Sequence, residues 1–192
     1  MNRTVGRPRD TSVDIKVVDA TLEILNSDGL GGLSIEGVAS RAGVSKATIY
    51  RRWDSKEDLL VDAIATLVHE VEVPDSGDIR GDLTTAMAGM TRFVTDTRAG
   101  EVFPWLVGEI ASESEIGLRY AVSVIGPRRS MIADLIAHAV ERGDLRDDLD
   151  IDLAVDMLTG PVLIRRMLGR LADSPDAWAG RLVTQLLEGW ET

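Results

Sequence analysis

Five cationic side chains lie close together in an otherwise acidic chain: Arg41, Lys46, Arg51, Arg52 and Lys56. Guanidinium and ammonium groups donate charge-assisted hydrogen bonds to phosphate oxygens, so such a cluster could bind a polyanion. The formal net charge of the chain is −11, yet residues 1–60 carry nine Lys or Arg and nine Asp or Glu. A polyanion could therefore approach the first third of the chain and would be repelled by the remainder.

Residues arranged for catalysis or for metal binding are missing from the sequence. Cysteine is absent, which excludes disulfides, thiolate metal ligands and a cysteine nucleophile. His69 and His138 are isolated from each other, and no HExxH, GxSxG or GxxxxGK[ST] motif is present. The acidic run at 147–152 lacks the spacing of an EF-hand loop. We therefore expect no enzyme, no cofactor and no metal site.

The composition is that of a globular protein without a membrane segment. The chain has 192 residues, of which 44% are hydrophobic, ample for a buried core. Its uncharged runs are far shorter than the roughly 18 residues that a membrane-spanning helix needs. The polar N-terminus has no apolar stretch of a secretion signal. We expect a soluble protein that resides in the cytoplasm and does not contact a membrane.

Apolar residues recur with helical spacing, and no stretch alternates as a strand does. Ile15, Val18, Leu22 and Leu25 should share one buried face of a first helix that ends at Asp28–Gly29. Ser34, Ser45 and Ser55 are placed to cap the next three helices. Five further helices are expected at about 79–97, 100–112, 115–142, 151–171 and 176–190. The prediction is an all-α protein of about nine helices, in which Pro104, Pro127 and Pro161 kink or interrupt their helices.

Residues 34–53, SIEGVASRAGVSKATIYRRW, meet the requirements of a helix–turn–helix. Two short helices that cross need a small residue at their contact, supplied by Ala39, and a left-handed turn residue, supplied by Gly43. Apolar contacts that fix the crossing come from Ile35, Val38, Val44 and Ile49. The second helix then presents polar residues outward and has the dimensions that fit a DNA major groove.

The stretch VASRAGVSKATIYRRWDSKEDLL resembles the DNA-binding motif of the tetracycline-repressor (TetR) family of transcriptional regulators. The resemblance implies an N-terminal three-helix helix–turn–helix DNA-binding domain and a C-terminal helical ligand-binding and dimerisation domain. The expected division is an arm at 1–11, a DNA-binding domain at 12–56 and a regulatory domain at 57–192, with the fourth helix linking the two. Trp53 stands where the family more often has Phe, and we expect it to pack inward.

The family pattern implies which residues meet DNA. Ser45, Lys46, Ala47 and Thr48 match the groove-facing start of the recognition helix, Tyr50 and Lys56 match phosphate-binding positions, and Arg51 and Arg52 could serve backbone or bases. The expected DNA-binding residues are Arg7, Arg9, Ser34, Ser45, Lys46, Ala47, Thr48, Tyr50, Arg51, Arg52 and Lys56. The alternative is a solvated face on an ordinary helix.

The N-terminal arm is a separate signal. Arg3, Arg7 and Arg9 surround Gly6 and Pro8 without periodicity, and a flexible arginine-rich arm can enter a narrow minor groove. The alternative is a tail that only aids solubility.

Residues 79–190 carry apolar side chains on several helix faces. The resemblance implies a small-molecule pocket among them and an apolar or amphipathic effector, although the same residues could simply fill a core. Expected pocket residues are Met87, Met90, Phe93, Trp105, Leu106, Ile110, Tyr120, Val124 and Met157.

The last two predicted helices are more apolar than a lone surface helix needs. The resemblance implies that they form a four-helix bundle in a twofold homodimer, whereas burial against the same chain is the alternative. Expected interface residues are Met157, Pro161, Ile164, Trp178, Leu182, Leu186 and Trp190. The two DNA-binding domains of such a dimer, about 34–36 Å apart, could contact a palindrome in double-stranded DNA.

The resulting hypothesis is a ligand-responsive repressor that binds a palindromic operator as a dimer. The alternative is a helical architectural or protein-interaction module with weak, non-specific DNA binding. A regulator should prefer one palindrome over bulk DNA by roughly 10³ or more, which distinguishes the two.

Overall fold

The computed structural model describes residues 11–69, 71–170 and 174–190. The described part is 78% helical and contains no strand, which confirms the predicted all-α class. Its helical segments are α1 (Thr11–Gly32), α2 (Ile35–Ala42), α3 (Lys46–Tyr50), α4 (Lys56–His69), α5 (Ile79–Asp96), α6 (Arg98–Glu101), α7 (Phe103–Ala111), α8 (Glu115–Tyr120), a π-helical turn (Ala121–Ile125), α9 (Gly126–Arg142), α10 (Ile151–Met167) and α11 (Pro175–Leu187).

Two of the predicted helices are broken. α6 and α7 meet at Val102, and the π-helical turn joins α8 to α9. Counting each broken helix once gives nine helices in the described residues, as predicted. Pro104 lies in the first turn of α7, where the missing N–H costs no hydrogen bond, and Pro127 is the second residue of α9, directly after the π-helical turn. Pro161 lies inside α10, which continues through it to Met167.

The π-helical turn follows from the position of Pro127. Proline has no N–H to donate to the carbonyl of Ser123, so the regular α-helical ladder cannot continue there. The N–H of Gly126 donates instead to the carbonyl of Ala121, five residues back. The extra residue in this turn sets which side chains of 120–125 face inward.

Two compact units make up the fold, and they divide between Ala63 and Ile64, inside α4. The first unit packs around fully buried side chains of four helices, namely Val17, Leu25, Val38, Ile49 and Leu60. The buried face of α1 consists of Val17, Ala20, Thr21, Ile24 and Leu25. This differs from the predicted face, since Ile15 is 60% exposed.

The second unit is built around α5, which packs against α9, α10 and α11. Its largest enclosed side chains include Leu83, Met87, Leu135 and Ile136. α7 and α8 approach so closely that a Cβ atom on Gly117 would lie 2.3 Å from the carbonyl oxygen of Glu109. Only glycine fits at that contact, so α7 and α8 form a tight pair.

Candidate functional site

The turn between α2 and α3 has the geometry that the sequence predicts. The hydroxyl of Ser34 accepts a hydrogen bond from the Gly37 N–H (3.1 Å) and caps α2. Gly43 adopts the left-handed conformation with φ 67° and ψ 33°. The N–H groups of Gly43 and Val44 both donate to the carbonyl of Ala39, which terminates α2 in a Schellman-type arrangement. This turn fixes the direction in which α3 leaves.

The contact between α2 and α3 is apolar and tightly enclosed. Ile35, Val38 and Ile49 are buried, and Ala39 is buried beside them. A larger side chain at Ala39 would separate the two helices, because a close-packed interface has no room for extra methylene groups. α3 is thus held by a single buried side chain, Ile49, while the rest of its surface stays accessible.

The first turn of α3 is stabilised by its own hydroxyl groups. Ser45 accepts a hydrogen bond from the Thr48 N–H (3.2 Å), and the two side-chain oxygens lie 2.9 Å apart. Both residues remain at the surface of the unit, beside the exposed methyl group of Ala47. These three short side chains leave a low surface on the exposed side of α3.

A phenol and two cations border this low surface. Tyr50 is 52% exposed, an unusual position for an aromatic residue on a globular surface. Arg51 is exposed as well and has no ion-pair partner among the residues described. Lys46 donates to the carboxylate of Glu36 at 2.6 Å. This hydrogen bond lowers the pKa of Glu36 and raises the pKa of Lys46, so both groups stay charged.

The remaining cations of the cluster also have carboxylate partners within the unit. Arg52 forms an ion pair with Asp14 of α1, and its side chain is only 18% exposed. Arg41 lies 3.8 Å from Glu23, and Lys56 lies 3.9 Å from Glu57. Arg52 therefore connects the end of α3 to α1, a role that the sequence does not indicate.

The start of α4 is fixed against the end of the helix–turn–helix. Ser55 accepts a hydrogen bond from the Asp58 N–H (3.0 Å), which is the predicted cap. Trp53 is buried, as predicted, and its indole N–H donates to Asp62 at 2.7 Å. Lys56 is the first residue of α4 and is exposed. Arg7 and Arg9 lie outside the described residues.

A cavity of about 290 Å³ lies inside the second unit. Four of the predicted pocket residues line it: Met90, Phe93, Tyr120 and Val124. The rest of its lining is Val68, Val71, Val94, Phe103, Ile125, Arg128, Arg129, Ile132, Asp156, Thr159, Gly160 and Leu163. The π-helical turn contributes Val124 and Ile125, so the Pro127 irregularity helps to shape this space.

The other predicted pocket residues lie elsewhere in the unit. Met87 and Leu106 are enclosed in the packed interior, since only the last two turns of α5 and only Phe103 of α7 reach the cavity. Trp105 and Ile110 are partly buried on α7 and are not part of the lining. Met157 is 40% exposed on the outer side of α10. The lining therefore comes less from α7 and more from α9 and α10 than the sequence predicts.

Arg128 and Tyr120 give the apolar cavity a polar wall. Burial raises the pKa of Tyr120 to about 12, so its hydroxyl stays protonated at neutral pH. The Nη1 of Arg128 donates to the carbonyl of Val71, just beyond α4. Its Nη2 is buried and has no hydrogen-bond partner within the described structure. Arg128 occurs in a run of charged and apolar residues without a motif, so its place in the cavity wall has no signal in the sequence.

The predicted interface residues divide between an exposed and a buried group. Met157 and Ile164 lie on an apolar stripe of α10 with Leu153, and each is 40–54% exposed. Trp178, Leu182 and Leu186 are partly buried against the core of their own unit. Trp190 is buried, and its carbonyl accepts a hydrogen bond from the Arg146 N–H. Pro161 is partly buried between these groups.

No helix in the described ranges is long and apolar enough to cross a membrane. The same residues contain no cluster of His, Asp and Glu that could hold a metal ion.

Known proteins resemble this chain over both units. A family model for bacterial regulatory proteins of the tetR family matches residues 17–63, and one for a tetracyclin repressor-like C-terminal domain matches residues 73–186. The uncharacterized HTH-type transcriptional regulator YdeS of Bacillus subtilis is 31% identical over 85% of this chain and 82% of its own length. A DNA-binding transcriptional repressor TetR of Mycobacteroides abscessus is 32% identical over 86% of this chain and 87% of its own.

A solved structure agrees with the fold. The TetR family transcription regulator SCO0332 superposes with a TM-score of 0.81 at 34% identity, covering 93% of this chain and 98% of that one.

Proposed function

Because the chain belongs to the TetR family of transcriptional regulators, we propose that it is a ligand-responsive repressor that binds a palindromic operator as a homodimer. As a member of this family it is a DNA-binding transcriptional regulator and not an enzyme. The observation that carries the proposal is α3, which buries only Ile49 and presents its other side chains to solvent. We place the protein in the cytoplasm, where its DNA target would lie.

α3 is the element that enters the major groove in this proposal. Ser45, Ala47 and Thr48 meet base edges, because their short side chains allow the helix to come close. Tyr50 and Arg51 border that surface and bind phosphates. The residues that complete the proposed DNA-binding set are Arg7, Arg9, Ser34, Lys46, Arg52 and Lys56.

Those six residues have different tasks. Lys46 and Lys56 add positive charge, and Lys46 is free to bind phosphate once DNA competes with Glu36. Ser34 and Arg52 act by positioning, since one caps α2 and the other pairs with Asp14. Arg7 and Arg9 extend the contact into the minor groove.

The proposed domain boundaries place residues 12–56 in the DNA-binding domain and 57–192 in the regulatory domain. α4 begins at Lys56 and ends at His69, so it belongs to both compact units. Members of the family bind DNA as dimers, and some bind small-molecule effectors. The cavity of the second unit is the site that we assign to an effector, and its lining supports an apolar or amphipathic one.

We assign dimerisation to α10 and α11. Supporting evidence is the exposed stripe of Leu153, Met157 and Ile164, since solvent-exposed apolar side chains at helical spacing are typical of association surfaces. Trp178, Leu182 and Leu186 extend this surface with their exposed portions. Trp190 contributes to this surface indirectly, because it packs in the core that supports it.

A selection from random duplexes tests the proposal. The purified protein should enrich one palindrome and prefer it over bulk DNA by roughly 10³ or more, whereas an architectural module would show no such preference. Replacing Arg51 by Ala should weaken binding to every sequence and reduce the salt slope by about 0.9. Arg142→Ala, which removes the same charge from the second unit, is the control. Replacing Thr48 should instead change which sequence is preferred.

A further inference from the structure

The cavity of the second unit contains a positive charge that its lining does not neutralise. Arg128 of α9 reaches it, and no carboxylate of the described residues forms an ion pair with this guanidinium. Nη1 donates to a backbone carbonyl, whereas Nη2 is buried without an acceptor. A buried donor without a partner is costly, and a charged one more so. Arg128 therefore brings an uncompensated guanidinium to the cavity lining, which favours a ligand that supplies an acceptor.

The neighbouring charged side chains pair with one another and not with Arg128. Asp156, the one carboxylate among the described lining residues, accepts a hydrogen bond from Arg129, which also binds Asp152. These two bonds raise the pKa of Arg129. Burial lowers the pKa of Arg128, yet a guanidinium remains charged near neutral pH. Tyr120 borders the same cavity with a neutral hydroxyl that can donate a second hydrogen bond.

We propose that the cavity binds an amphipathic monoanion, whose apolar body packs among the aliphatic and aromatic lining residues and whose head group is bound by Arg128. This inference rests on the proposed ligand response and names the chemical class of its effector. A volume of about 290 Å³ accommodates on the order of ten heavy atoms at ~30 Å³ each. A carboxylate fits the guanidinium fork in a bidentate manner, and an eight-carbon carboxylic acid has the required size.

The same guanidinium connects the ligand site to α4. Arg128 binds the carbonyl of Val71, and the N–H of Val71 donates to the carbonyl of Val68 in the last turn of α4. Both valines also line the cavity. An anion that takes donors from Arg128 competes with the Val71 carbonyl, so binding favours a different position of the end of α4. This competition supplies the differential contact that a ligand-driven change requires.

Calorimetric titration of the full-length protein with octanoate, octanol, octyl sulfate and octylamine tests the inference. Octanoate should bind roughly ten- to hundredfold more tightly than octanol, the contribution of a hydrogen bond to a charged group. Octylamine should bind more weakly than octanol. Octyl sulfate separates a requirement for carboxylate from a requirement for negative charge alone, and either result supports an anion site.

Two variants locate the effect. Arg128→Met should abolish the preference for octanoate over octanol, while Arg142→Met, the same change on the same helix outside the cavity, should retain it. Gly160→Leu should weaken binding of both compounds, because a Cβ atom built on Gly160 of the cavity wall meets nothing within 4 Å and the rest of the leucine side chain would occupy cavity space. Circular dichroism at 222 nm verifies that each variant is folded. If Arg128→Met does not fold, the inference is judged from the Gly160→Leu result and from the ratio of the wild type's affinities for octanoate and octanol.

Three results would overturn the inference: equal affinities of the wild type for octanoate and octanol, no binding of either, or an unchanged preference in folded Arg128→Met. Operator affinity measured without any ligand is independent of these results. If the unliganded wild type shows no specific DNA binding, the proposed function is refuted instead. A non-anionic compound that enters the cavity and releases the operator would refute only the anion site.

Discussion

Replacing Gly43 by Ala tests whether the left-handed turn holds α3 in place. Gly43 has φ 67°, and a Cβ atom built there meets nothing within 4 Å, so the cost is conformational and not steric. A non-glycine residue in this region costs roughly 1–2 kcal/mol. The reduced entropy of the unfolded chain offsets about 0.4–1 kcal/mol of that. The expected net loss of stability is about 1 kcal/mol, near a fivefold change in the unfolding equilibrium.

Gly31→Ala is the matched control in the same unit. Its Cβ atom also meets nothing within 4 Å, but Gly31 has no positive φ, so this substitution should be neutral or stabilise by up to about 1 kcal/mol. Gly43→Asn should cost less than Gly43→Ala, because asparagine tolerates the left-handed region.

Urea unfolding of protein labelled with 5-fluorotryptophan provides the assay. Trp53 is the only tryptophan in residues 1–63, so its fluorine resonance reports on the first unit alone. A loss of about 1 kcal/mol should lower the midpoint by roughly 0.5 M at a typical m-value near 2 kcal/mol/M. Equal midpoints for Gly43→Ala and Gly31→Ala would refute the assignment of the turn and, with it, the fixed direction of α3.

Three further outcomes are expected. Lys46→Ala should reduce the log–log salt dependence of operator binding by about 0.9, and Glu36→Gln should tighten binding because it removes the carboxylate that competes for Lys46; an unchanged slope for Lys46→Ala in a filter-binding titration would show that Lys46 does not reach DNA. Gly117→Ala should lower the melting temperature, with a cost of about 1–3 kcal/mol from the clash with the α7 backbone, whereas Gly108→Ala, where the Cβ atom has open space, should not. Tyr120→Phe should remove an alkaline loss of stability: the unfolded tyrosine ionises near pH 10 and the folded one near pH 12, so wild-type stability falls by ~3 kcal/mol between these values, and parallel pH curves for both proteins would contradict this.

The candidate site illustrates how far local sequence signals extend. Ser34, Ser45 and Ser55 cap their helices, and Gly43 ends α2, as the sequence predicts. Each of these contacts joins atoms within a few residues of chain, so residue type and spacing suffice to predict it. The buried face of α1 was predicted less well, because Ile15 has a suitable spacing but no helix among the described residues covers it.

Which charged residues form ion pairs depended on contacts between segments that are distant in sequence. Arg52 belongs to the same cationic cluster as Arg51 in sequence, yet only Arg52 is drawn to Asp14 on α1. Lys46 is likewise opposite Glu36 across the turn. Sequence composition therefore predicted a positive surface, whereas packing decided which of its charges remain available for DNA.

The all-α class, the helix–turn–helix and its caps could be predicted from residue order alone, because hydrophobic periodicity and short-range hydrogen bonds are properties of neighbouring residues. The packed structure was needed to show that Met90 and Phe93 border a cavity while Met87 fills the core, and that Arg128, a cavity-lining residue, has an unpaired nitrogen. These assignments depend on how α5, α9 and α10 pack together, and the space left between helices is set by all of their side chains at once.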